Sequence, residues 1–122
     1  MNRKLLLAAL AVVVPVGALH AMTVAVFLEK ADALQARGMA AMFSSDIGLL
    51  KGEATSAGAA LRAETEAARR AGRQPAFCAP ERVRMSSTEL LAFFRSIPPA
   101  QRQRLEVRDA MRFYMVRRFP CR

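Results

Sequence analysis

Beyond residue 21 the chain carries 19 alanines against 11 valines, isoleucines and threonines together. That imbalance constrains the fold more than any other feature. Alanine gives up no side-chain entropy in a helix, whereas β-branched residues lose χ1 freedom there and are the usual material of strands. The composition therefore predicts an all-α chain. At 122 residues there is room for one domain, and a core of this size gains from a covalent staple.

The first 21 residues, MNRKLLLAALAVVVPVGALHA, are of a different kind. Arg3 and Lys4 precede an apolar run from Leu5 to Leu19, no acidic residue stands before Glu29, and small residues close the segment. A positive start, a short apolar helix and a small-residue end are the layout of a secretory signal. Pro15 and Gly17 break that helix just ahead of the cleavage region. The expected cut follows Ala21, with a cut after Ala18 as the alternative. The rival reading is an uncleaved anchor, since apolar residues resume from Met22 to Leu28. The run is short for a membrane span of about 20 residues, however, and His20 and Thr23 interrupt its extension. The expectation is a signal peptide over 1–21, a domain over 22–122, a periplasmic destination and no stable membrane anchor after cleavage. Removing the segment turns a formal charge of +9 into +7, carried by 17 basic and 10 acidic residues.

Helical periodicity and cap chemistry divide the mature chain. Thr23 caps a first helix to about Arg37, with Val24, Phe27, Leu28, Ala31 and Leu34 on one face and Gly38 as the stop. A short Met39–Phe43 segment leads to Ser44-Ser45-Asp46, a natural cap for a longer helix over about 47–70. Ile47, Leu50, Ala54, Ala57 and Leu61 form its buried stripe, and Gly72 ends it. Gly52 and Gly58 inside it suggest either a closely packed backbone or a weak helix. A loop with Pro75 and Pro80 follows, from Arg73 to Met85. Ser86 and Glu89 then stand at the spacing of a capping box, with Met85 and Leu90 placed as a hydrophobic staple. That helix turns Leu90, Phe93, Phe94 and Ile97 inward and stops at Pro98-Pro99. A last helix over about 104–118 buries Val107, Ala110, Met111, Tyr114 and Met115. The whole is a small bundle of four main helices.

The chemistry inventory points away from an enzyme. His20 is the only histidine and lies in the segment expected to be removed. The mature chain then lacks the commonest general base at neutral pH, nucleophile–histidine pairs and histidine-containing zinc sites. No phosphate-binding glycine loop, Ser-x-x-Lys motif or Gly-x-Ser-x-Gly elbow occurs. Glu29 and Asp32 sit one turn apart and read as a solvated helix face. No cofactor is called for.

Two cysteines, Cys78 and Cys121, are the even number that favours one intramolecular disulfide in an exported chain. Metal binding would need more ligands, and redox chemistry usually uses closer spacing. The arginines are unevenly spread: residues 75–122 carry ten basic and four acidic groups. Arg104, Arg108 and Arg112 recur every four residues, as on one face of a helix. Such a face is either simply solvated or meets an acidic protein, an anionic polymer or lipid phosphates. Nucleic acid is disfavoured, since no binding motif or interleaved aromatic platform accompanies the charge. The aromatics Phe93, Phe94, Phe113, Tyr114 and Phe119 sit mostly at core spacing.

Phe77-Cys78-Ala79-Pro80, then Val83, the Ser/Thr-capped helix with Leu90-Leu91, the Pro98-Pro99 break and the terminal Phe119-Pro120-Cys121 together resemble the Tai/Rap immunity-protein domain. Met22-Thr23-Val24, Phe27-Leu28 and the Ser44-Asp46-Ile47-Gly48 region are similar to it as well. The resemblance spans almost the whole mature chain and matches Cys78 and Cys121 to the family's cysteine pair. It implies a helical periplasmic protein without catalysis. Such a protein binds and blocks a peptidoglycan amidase delivered by type VI secretion, often as a homodimer. No inhibitory residue carries over by motif. Exposed connections on a rigid scaffold are the places to expect a partner. The candidates are therefore Arg82, Arg84 and Met85 in one loop, Pro98, Pro99, Arg102 and Arg104 at the other corner, and Arg108 and Arg112 beyond it. The rival role is another envelope protein whose arginine face takes an anionic polymer, lipid or acidic protein.

Overall fold

The computed structural model describes residues 21–122; the export segment read in the sequence lies outside them, apart from Ala21. Five α-helices follow in order: α1 Val24–Arg37, α2 Ser45–Arg70, α3 Ser87–Ser96, α4 Pro99–Arg102 and α5 Val107–Arg118. A short 3-10 segment, Gly38–Phe43, joins α1 to α2. Among the described residues there is no strand, only one isolated antiparallel bridge between Thr23 and Glu106. No helix in them is long and apolar enough to cross a membrane. The described residues thus form an all-α bundle of four main helices, with α4 a single added turn.

The helix ends are made by local side-chain and glycine chemistry. The Thr23 hydroxyl accepts from the Val26 N–H at the start of α1, and the Ser44 hydroxyl accepts from Asp46 N–H at the start of α2. Asp46 adds negative charge to the positive end of that helix. At the close of α2, Arg73 N–H donates to the Ala68 carbonyl and Gly72 N–H to the Arg69 carbonyl. This double closure needs a left-handed residue, and Gly72 supplies it at φ 68°. At α3 the capping box is complete: Glu89 N–H donates to the Ser86 hydroxyl at 3.1 Å, and Ser86 N–H to the Glu89 carboxylate at 3.0 Å.

The core lies between α1 and the other helices, and the most extensive pairing is α2 with α5. Val24, Phe94 and Val107 are wholly buried, and Phe27, Leu28, Leu61 and Ala110 lie beside them. The Phe27 and Phe94 rings meet edge-on at 5.3 Å between centroids. Each such side chain removed from water contributes about 1.5–3 kcal/mol before entropy is counted. Leu34, Ile47, Phe93 and Tyr114, expected inside, are half-buried at the margin. Apart from the backbone of their own helix and their chain neighbours, nothing lies within 4 Å of where a Cβ would stand on Gly52 or Gly58. The closely packed backbone suggested for them is therefore not there, and they simply weaken α2.

Two long-range ties hold the ends. Cys78 and Cys121 form a disulfide, and Cys78 N–H donates to the Phe119 carbonyl at 2.8 Å. Around the Thr23–Glu106 bridge, Val24 N–H donates to the Leu105 carbonyl and Val107 N–H to the Met22 carbonyl, both at 2.9 Å. To make these bonds Glu106 must be extended, at φ −74° and ψ 151°. The last helix therefore starts at Val107, three residues later than its periodicity predicts.

Candidate functional site

The shortened α5 breaks up the arginine stripe. Arg104 falls in the turn after α4, off the helix that carries Arg108 and Arg112. Those two are half-buried and already engaged. The Arg112 guanidinium reaches across to α2 and donates to both Glu64 oxygens at 2.6 and 3.0 Å, and to Asp109 at 2.7 Å. Hydrogen bonds to Glu64 first, then to Asp109, raise its pKa further into the charged range, while partial burial works the other way. Arg108 lies 3.5 Å from Glu106 and 3.7 Å from Asp109, and its buried Nε has no hydrogen-bond partner. Arg112 thus ties α5 to α2 and Arg108 pairs with carboxylates at the start of its own helix, so the two form no open basic face with Arg104.

Arg102 is also turned inward. Its Nε donates to the Ile97 carbonyl at 2.6 Å and an Nη to the Arg95 carbonyl. These carbonyls sit at the end of α3, where the helix dipole favours a cation. Arg95 in turn takes Asp32 on α1 at 2.7 Å, so Asp32, exposed as expected of a solvated helix face, also ties α1 to α3.

What remains open is a groove of about 690 Å³ between the α3–α4 corner and the outer side of α5. Pro98 and Arg104, from the predicted corner, line it together with Phe93 and Ile97. Pro99 opens α4 at its first position, where a missing N–H costs no helix bond. From α5 come Phe113, Val116 and Arg117. Phe113 is 56% exposed and Val116 is 37% exposed, so Phe113, expected in the core, faces solvent instead. Arg104 and Arg117 make no ion pair among the described residues, and no acidic side chain lines the groove. The result is an apolar floor beneath two unneutralised guanidinium groups.

Arg82 and Arg84 lie exposed in the other loop, without an ion pair among the described residues. Met85 is half-buried and lines a second depression of about 540 Å³ between α1, α2 and α3. It does not join Pro98 and Arg104. Phe113, Val116 and Arg117 were missed by sequence reasoning, although their i, i+3, i+4 spacing places them on one face, offset from the buried Met111–Met115 stripe. Compared with protein-family models, curated proteins and solved structures, the chain matches none.

Proposed function

We propose that this chain is an exported, non-catalytic binding protein that captures a protein partner in the groove between the α3–α4 corner and α5. One observation carries the reading: exposed Phe113 and Val116 lie beside Arg104 and Arg117, with no carboxylate to neutralise them. An apolar floor with a cationic rim fits a partner loop that presents an aromatic or aliphatic side chain next to an acidic one. Aromatic anchors in desolvated pockets dominate protein interfaces, and unmatched charges at the rim set orientation and association rate.

The partner we propose is a peptidoglycan amidase of type VI secretion, with this chain as the periplasmic immunity protein that blocks it. That identity rests on the Phe77-Cys78-Ala79-Pro80 and Phe119-Pro120-Cys121 resemblance, and the disulfide between those two segments is consistent with an oxidising compartment. The test is protection of cells that express, in the periplasm, any peptidoglycan amidase encoded beside this chain, with binding measured on the purified pair. Phe113→Asp is expected to weaken binding at least thirtyfold, about 2 kcal/mol, while Arg82→Ala leaves it unchanged. Absence of protection, or a Phe113→Asp variant that binds as wild type, overturns the proposal.

The rival, capture of an anionic polymer or lipid by the arginines, loses Arg108 and Arg112 to their carboxylate partners. It would show as binding that collapses with added salt and ignores Phe113→Asp.

A further inference from the structure

We infer that the mature chain begins at Met22 and that its new α-ammonium is held by the Glu53 carboxylate; this rests on the export reading above. The Met22 nitrogen lies 3.1 Å from Glu53 Oε1 on α2. The Met22 carbonyl accepts from Val107 N–H at 2.9 Å, and its side chain rests against the core. Among the described residues the long-range hydrogen bonds at this end of the chain begin at Met22, not at Ala21.

In the uncut chain the nitrogen facing Glu53 belongs to a neutral amide. Hydrolysis of the Ala21–Met22 bond by a signal-type peptidase consumes one water. It leaves a carboxylate on Ala21 and an amine on Met22 that takes up a proton. A single N–H donor then becomes a cation with three. Such a cation would ordinarily be disfavoured beside the positive end of α1, whose first turn holds no acidic residue. Glu53 supplies the opposing charge from another helix. Glu106 at the start of α5 is also brought to this end of the chain across the Thr23 bridge, where Arg108 is paired with it. A cut after Ala18 would leave Leu19, His20 and Ala21 ahead of Met22 and keep this nitrogen an amide.

The chemistry provides a clean window for the test. A chain starting at Met22 has no histidine, and both cysteines are in the disulfide. Carboxylates titrate near pH 4 and Lys and Tyr near 10, whereas an α-amine ordinarily titrates at about 7.7–8.0. An ion pair that raises the folded-state value adds stability fully present below about pH 7.7 and lost as pH rises through the raised value. The full chain is exported in a bacterial host, recovered from the periplasm, and its mass and N-terminal sequence determined. Wild type and Glu53→Gln are then unfolded with denaturant at pH 6.5 and 9.5. Expected are a first residue of Met22 and an unfolding constant raised about two- to fivefold by Glu53→Gln at pH 6.5, the scale of an exposed ion pair. That ratio falls towards one at pH 9.5. A first residue of Leu19, or a Glu53→Gln effect equal at both pH values, overturns the inference. An intact Met1 on protein retained in the cytoplasm overturns the export reading itself.

Discussion

Replacing Cys78 and Cys121 by serine removes the one covalent tie between the loop that follows α2 and the chain end. The two cysteines are 43 residues apart in sequence. In the chain-entropy treatment, closing a loop of that length restricts the unfolded chain by about 4 kcal/mol at 25 °C. A domain of this size has about 5–15 kcal/mol in all, so the loss is a large share of its stability. The native contacts should largely survive. Phe77 is buried in the core, and Cys78 N–H keeps its bond to the Phe119 carbonyl. The double variant is therefore expected to fold, with native helix content, and to unfold far more readily. At roughly 4–8 °C per kcal/mol, its midpoint should fall by about 15–30 °C. Thermal and urea melts followed by circular dichroism, on wild type, reduced wild type and the double variant, measure this. Reduced wild type and the double variant should coincide. A double variant within about 0.5 kcal/mol of oxidised wild type would refute the loop-closure reasoning. It would mean that the segment between residues 78 and 121 is already restricted in the unfolded state.

Phe94→Ala empties the centre of the core, where the ring is wholly buried against Phe27; a loss of about 3–5 kcal/mol in urea unfolding is expected. Ser86→Ala breaks the capping box at α3 and should cost about 1 kcal/mol, with Ser86→Gly milder. Gly52→Ala combined with Gly58→Ala should raise stability by about 1–2 kcal/mol, because both lie inside α2 with open space around the added methyl. A destabilised double alanine variant would reveal an unseen neighbour at that face.

The helices were legible because what starts and stops them is local. Thr23, Ser44 and Ser86 satisfy N–H groups a few residues ahead, and Gly38 and Gly72 take positive φ just past the last turn. The 3.6-residue spacing likewise marked Val24, Phe27, Leu28, Leu61, Phe94 and Val107 for burial. The pairing of Cys78 with Cys121 followed from there being only two cysteines.

The fate of the arginines was not legible, since it depends on contacts between elements far apart in the chain. Arg112 meets Glu64, 48 residues away, because α2 and α5 lie side by side. Arg104 leaves the helix because Glu106 must be extended to bridge to Thr23. One set of regularly spaced charges is thereby split: Arg112 is spent on an interhelical ion pair, Arg108 on pairs at the start of its own helix, and Arg104 is left at a groove rim. Local sequence determined which segments are helical and which face of each is apolar, for propensity, capping and periodicity act within a turn or two. Only the tertiary structure decided which polar groups remain unpaired in solution, because an ion pair between helices needs both backbones in place before either charge finds its partner.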